Sequence, residues 1–140
     1  MATFTKFNCF VEDLAEKAHN LGADTLKVAL TNTAPTASQT TWNVTDHPAP
    51  AAANGYTAGG NTPSITSSAQ TSGTYKLVLA DTTFTAAGGS IGPFRYAILY
   101  NSTASAKPIG WYDYGSSITL LTGEALLVDF DAAAGVLTLV

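Results

Sequence analysis

Phe94-Arg95-Tyr96-Ala97-Ile98-Leu99-Tyr100, followed after a polar turn by Ile109-Gly110-Trp111-Tyr112-Asp113-Tyr114, decides the fold class. Successive side chains of an extended chain point to opposite faces. The first segment carries one charge, Arg95, and is otherwise apolar on both faces, as a strand does when it lies inside a sheet covered on both sides. Cys9 is the only cysteine and glycine punctuates the second half of the chain, so packing and not disulfides must hold the sheet.

Working outward, Asn101 to Pro108 reads as the polar turn between these two strands. Ser117 to Leu121, Ala125 to Phe130 and Val136 to Val140 follow as short strands, separated by Gly115, Gly123 and the turn Asp131–Gly135. Upstream, Tyr75 to Leu79 alternates and ends at Asp81, Phe84 marks a short piece before Gly88-Gly89, and Ser64 to Gln70 fits a polar edge strand. Thr25 to Thr31 is the first strand, with Leu26, Val28 and Leu30 on one face. Many short strands at this spacing predict an antiparallel β-sandwich or barrel, and no βαβ alternation is present.

One helix is expected, over residues 8–21. Phe7, Phe10, Val11, Leu14, Ala18 and Leu21 recur at three- and four-residue spacing and form one apolar stripe. Glu12, Asp13, Glu16 and Lys17 occupy the opposite face, Asp13 and Lys17 form an i,i+4 pair, Asn8 serves as N-cap and Gly22 as terminator. An amphipathic helix of this kind packs its stripe on the sheet. Residues 32–60 hold Pro35, Pro48 and Pro50 and have almost no periodicity, which makes them a long irregular loop. The chain therefore reads as one domain over residues 1–140, with a β-rich body over 64–140.

Composition narrows the function. Charged residues make up 11% of the chain and hydrophobic ones 46%, against roughly 25% charged in an average globular domain. A surface of Thr, Ser, Ala, Gly and Asn repels neighbours weakly and orders at low entropic cost, which suits permanent association. The net charge is −4 and the six Lys and Arg are scattered, so the clustered cations that nucleic-acid binding requires are missing. No window matches a signal peptide or a span of ~20 apolar residues.

Candidate chemistry is sparse. His19 and His47 lie far apart without a metal-ligand spacing; His19 is placed at the helix C-terminus and His47 in a solvated loop beside Asp46. Asp129 and Asp131 share one face of a strand, opposite Phe130, and read with Asp113 as solvated strand ends. Neither a nucleophile elbow nor a phosphate loop occurs, and Cys9 beside Phe7 and Phe10 fits a buried, inert thiol. No catalytic residue, metal site or cofactor is expected. Trp42, with Tyr56 and His47, is either folded onto the core or an interface anchor for a partner. Trp111, Tyr112 and Tyr114 form a candidate aromatic surface of the kind that stacks sugar rings, or else core, with Tyr96, Ile98 and Tyr100 packed against the helix stripe.

The blocks Gly92-Pro93-Phe94-Arg95-Tyr96-Ala97-Ile98-Leu99-Tyr100-Asn101 and Pro108-Ile109-Gly110-Trp111-Tyr112-Asp113-Tyr114-Gly115-Ser116-Ser117-Ile118-Thr119-Leu120 resemble small structural virion proteins of tailed bacteriophages. So do Phe10-Val11-Glu12-Asp13-Leu14-Ala15, Leu26 to Pro35, and Gly55-Tyr56-Thr57-Ala58-Gly59-Gly60. The resemblance implies a virion component made in the host cytoplasm, of the capsid decoration (cement) type, that bridges major capsid protein subunits at the capsid surface. It further implies a homo-oligomer, trimer or dimer, and supplies no catalytic residues. The expected contacts are residues 32–60 and the first residues, Ala2 to Lys6, which are expected to be mobile. A tail fibre or baseplate component and a carbohydrate-binding β module are the alternatives.

Overall fold

The computed structural model describes residues 2–140. Nine strands and one short helix are present among them: β1 Thr3–Lys6, α1 Cys9–Ala15, β2 Leu26–Thr31, β3 Ile65–Thr71, β4 Thr74–Leu79, β5 Thr82–Thr85, β6 Ile91–Asn101, β7 Lys107–Leu120, β8 Ala125–Val128 and β9 Leu137–Leu139. The protein is mainly β and its sheets are antiparallel, in the orders β1-β7-β6-β2, β3-β4-β9 and β5-β8. None of the three closes on itself.

The doubly apolar segment lies where its pattern requires. β6 is an inner strand between β7 and β2, and Tyr96 to Asn101 are buried without interruption. Its two faces feed two different clusters. Phe94, Ala97 and Leu99 join Leu26, Val28, Leu30, Leu77, Leu79, Phe84 and Phe130 in the main core. Tyr96, Ile98 and Tyr100 join Phe7, Ala29, Trp42 and Trp111 in a second one. Apolar surface removed from water stabilises a fold by roughly 25 cal/mol per Å², and this strand removes it on both faces at once.

The helix is shorter than its hydrophobic stripe. It ends at Ala15, with Lys17 in the left-handed region at φ 64°. The Ala18 N–H donates to the Asp13 carbonyl at 2.7 Å and the Lys17 N–H to the Leu14 carbonyl at 3.3 Å, the paired bonds of a Schellman termination. Gly22 is therefore not the terminator, and Asn8 makes no side-chain cap bond. Val11 is 57% exposed, so the expected stripe is not continuous; Phe10 and Leu21 are buried in the main core and Leu14 packs against it. Phe7, at the same spacing, enters the second cluster instead. The apolar stripe of the helix therefore does not cover Tyr96, Ile98 and Tyr100: Phe10 and Leu14 face the main core, and of α1 only Cys9 packs against the second cluster.

Asp13, expected in solvent beside Lys17, is buried and pairs with Lys107 at the start of β7, which ties α1 to the main sheet. The first residues are also ordered: Thr3 to Lys6 pair in register with Asp113 to Gly110 as an edge strand, because Phe4 packs on Tyr112 with ring centroids 5.0 Å apart. The two strands expected on either side of Gly115 form one 14-residue strand. The register jumps between Phe94↔Ile118 and Tyr96↔Asp113, so Gly115, at φ 83°, sits in a large bulge instead of ending the strand.

Replacing Lys107 with Met leaves the Asp13 carboxylate buried without a cation. Denaturant unfolding is expected to show a loss of about 1–3 kcal/mol, and adding Asp13→Asn to the same chain restores part of it, because the stranded charge is then gone.

Candidate functional site

The segment 32–60 joins β2 to the rest of the body without regular structure, and it folds down as a cover. Trp42 is buried, its backbone N–H donates to the Ala106 carbonyl at 2.9 Å, and its ring lies 4.9 Å from His47 and 6.1 Å from Tyr100. Asn8 N–H to Ala37 carbonyl at 2.8 Å and Cys9 Sγ to Gln39 carbonyl at 3.3 Å fasten the segment to the start of the helix. The Thr31 hydroxyl donates to Pro48 and the Ser117 hydroxyl to Asn32. Of the two positions open to Trp42, the structure takes the core.

His47 is not a solvated loop residue but 3% exposed. The Gln39 amide nitrogen lies 2.9 Å from its Nε2, and the amide can only donate, so Nε2 accepts and Nδ1 carries the proton. Nδ1 has no partner among the described residues. The neighbouring Asp46 accepts from the Asn43 amide at 2.7 Å. Tyr56 is buried against Phe84, and its hydroxyl accepts the Leu30 N–H at 3.2 Å. Residues 56–61 thereby close the free edge of β2. Asn61 exchanges backbone hydrogen bonds with Val28 at 2.8 and 3.0 Å, and Gly60, at φ +82°, comes so near that a Cβ would lie 1.8 Å from the Val28 carbonyl oxygen. Trp42, His47 and Tyr56 are therefore interior side chains of this fold, and the chain does not present them as anchors.

Of the two readings open to the aromatics on β7, Trp111 takes the core. Trp111 is 8% exposed and packs on Phe7 at 4.6 Å. Tyr112 and Tyr114 are half-buried on the main-core side, and with Ala2, Leu127 and Asp129 they line a shallow cavity of 160 Å³. Burial pushes the Tyr112 hydroxyl up to about 12, helped by Tyr114 and the carboxylates of Asp129, Asp131 and Asp81. No flat row of exposed rings results. Arg95 holds Asp113 in a two-pronged pair at 2.7 and 2.9 Å and lies over Tyr96, which keeps that carboxyl below its ordinary range. Asp129 and Asp131 do not share a strand face: β8 ends at Val128, and Asp131, at φ 48°, turns the chain by accepting from the Ala133 and Ala134 N–H groups.

His19 is buried beyond the helix end against Phe10, and its Nδ1 faces the Asn101 amide at 3.1 Å while Nε2 has no partner among the described residues. The same amide donates to Asp24 at 2.6 Å. Burial lowers the proton affinity of His19, with Asp13 and Asp24 opposing and Lys107 assisting. It lowers that of His47 too, against Asp46 and a backbone bond to Asn43. Cys9 is half-buried, and desolvation with Asp13 nearby raises its thiol. Sequence reasoning missed the burial of both histidines, since one lies at the end of the helical pattern and the other in a segment without periodicity.

The open concavity lies elsewhere. A cleft of 560 Å³ runs between the end of α1 and the β3-β4-β9 sheet, lined by Leu14, Lys17, His19, Leu21 and Tyr75 among others. A separate slot of 350 Å³ beside β9 shares Leu14 and Leu139 with it, and its lining includes Phe4, Lys6, Phe10 and Val11. Among the described residues no group of three His, Cys, Asp or Glu side chains converges as a metal site, and no helix is long and apolar enough to cross a membrane. Compared with known protein families, curated proteins and solved structures, the chain matches none.

Two outcomes are expected from the interior residues. Trp42→Ala removes a buried indole and lowers the unfolding free energy by about 3–5 kcal/mol in a denaturant titration. Both histidines are buried neutral, with proton affinity below that of the unfolded chain. Stability is therefore full above the ordinary histidine value of 6.5 and falls as pH drops below it, until the folded-state values are reached. Thermal unfolding scanned from pH 7.5 to 5 should show this fall, and His19→Asn or His47→Gln should each flatten it. An unchanged slope in both variants excludes the histidines as its source.

Proposed function

We propose that this chain is a structural component of a bacteriophage virion, of the capsid decoration type, bridging major capsid protein subunits at the head surface. In this reading its sheets form a sandwich-like body that binds a partner and performs no chemistry. The observation that carries the reading is the outer surface. The exposed positions of β3 are Thr66, Ser67, Ala69, Gln70 and Thr71, those of β5 include Thr83 and Thr85, and those at the end of β7 include Ser116, Ser117 and Thr119. Short hydroxyl side chains have little rotamer entropy to lose and no charge to desolvate, so a face made of them suits lasting contact with other subunits. The resemblance of the blocks Gly92–Asn101 and Pro108–Leu120 to phage virion proteins points the same way.

The glycan-binding alternative has lost its best side chain, because Trp111 packs into the second cluster. Immunogold labelling of purified particles, with an antibody raised against this chain, tests the proposal. Gold over the heads is the expected result. Gold confined to the tails assigns the chain to a fibre or baseplate, and particles without gold overturn the virion role.

A further inference from the structure

We infer that residues 33–47 form a flap that opens when His47 is protonated, uncovering the aromatic cluster beneath it while the main core stays folded. The inference concerns the fold itself and does not rest on the virion role.

Both ends of the flap are pinned at one place. At its start the Asn32 side chain accepts from the Ser117 hydroxyl, and the Thr33 N–H donates to the Thr31 hydroxyl at 3.1 Å. At its far end the Pro48 carbonyl accepts from the same Thr31 hydroxyl at 3.0 Å. Thr31 is the last residue of β2 and is buried. A loop whose two ends meet can move as a unit without disturbing the elements outside it. The closure of β2 by Tyr56 and Asn61 lies beyond the hinge and does not depend on it. Between its ends the flap is tied to the body through Ala37 to Asn8, Gln39 to Cys9 and Trp42 to Ala106. What it covers is the second cluster, with Tyr96, Ile98, Tyr100 and Trp111, which is separate from the main core. Local opening of such a unit costs less than global unfolding.

Gln39 is the reason His47 cannot take up a proton without loss. Its Oε1 accepts the Thr36 N–H at 2.6 Å and its Nε2 donates to the His47 Nε2 at 2.9 Å. A backbone N–H can only donate, which fixes the orientation of the amide. In a protonated histidine both ring nitrogens are donors, so the His47 Nε2–H meets the Gln39 NH2, donor against donor. Turning the amide over gives His47 an acceptor but sets the NH2 against the Thr36 N–H. One bond is lost either way, and a buried donor left unpaired is costly. Nδ1 offers no relief, being buried without a partner among the described residues.

The charged neighbour of His47 is Asp46, exposed and bonded to the Asn43 amide. It draws the proton, but burial outweighs it. Beyond the Trp42 ring lies Tyr100 of β6, neutral in this range, whose hydroxyl donates to the Gly59 carbonyl at 2.8 Å. In the open flap the His47 ring is hydrated and takes the proton more readily. The closed form is therefore fully favoured above the ordinary histidine value of 6.5. Below it each pH unit raises the open population about tenfold, until the closed-state value is reached. Acid thereby turns a covered face of the main sheet into an exposed aromatic one.

Native-state hydrogen exchange from pH 7.5 to 5, corrected for intrinsic rates, reads the opening. The Asn8 and Trp42 amides, bonded to Ala37 and Ala106, are expected to exchange ahead of the β6 amides throughout. Their protection should fall about tenfold per pH unit below 6.5. His47→Gln, which cannot be charged, should remove the fall. Gln39→Glu supplies a carboxylate that accepts from both Thr36 and protonated His47, and should remove or reverse it. His19→Asn, outside the flap, should leave it unchanged. A fall that survives His47→Gln or Gln39→Glu overturns the inference, as does one abolished by His19→Asn. So do flap amides that exchange together with those of β6, which would make the opening global. Should His47→Gln fail to fold, Gln39→Glu alone decides.

Discussion

Everything in this fold depends on β6 being apolar on both faces while flanked by β7 and β2. A strand of that kind cannot sit at the surface of a two-layer domain, because each face exposes side chains whose transfer from water is favourable. Two separate covers are required. The smaller sheets, with Phe10 of the helix, supply one, and their side chains form the main core. The second is supplied by a segment without secondary structure, whose Trp42 and Ala37 close over Tyr96, Ile98, Tyr100 and Trp111.

That division explains why the segment 32–60 is long and irregular. A regular element would satisfy its own backbone, whereas this one must follow an uneven aromatic surface and find partners wherever it lands. It does so through isolated bonds: Trp42 to Ala106, Asn8 to Ala37, Thr31 to Pro48, Leu30 to the Tyr56 hydroxyl. Just past its far end the chain also pairs with β2 through Asn61, and so removes an edge that would otherwise be open. Covering a face and closing an edge are done by one continuous run of residues.

The buried polar groups are distributed around this arrangement. Asp13 and Lys107 connect the helix to β7, His19 and Asn101 with Asp24 connect the helix end to β6, and His47 with Gln39 holds the covering segment to itself. Each histidine has one ring nitrogen engaged and one without a partner among the described residues, so protonation is opposed by burial at both sites.

Much of this was legible in the sequence. The apolar run Phe94–Tyr100 identified the central strand, the alternation of Tyr75 to Leu79 and the glycine punctuation identified the β body, and Phe10 and Leu21 were on the correct side of the chain. Periodicity reports which face of an element is apolar, and for these strands the face decides the packing. It does not report which element supplies the cover. The sequence left Trp42 open between core and interface anchor, and Trp111 between core and a sugar-stacking surface, because a lone indole in a loop or on a strand fits either place. Their burial is decided by contacts between residues that are far apart in sequence, such as Trp42 with Tyr100 and Phe7 with Trp111. Helix length was lost in the same way: the stripe continues to Leu21, but Lys17 turns the backbone early so that His19 can reach Asn101. Local sequence determined most of the strands, though not β1, and which strand is central. Only the tertiary structure decided what covers each face and how the edge of β2 is closed, because those depend on contacts between distant residues that no local pattern encodes.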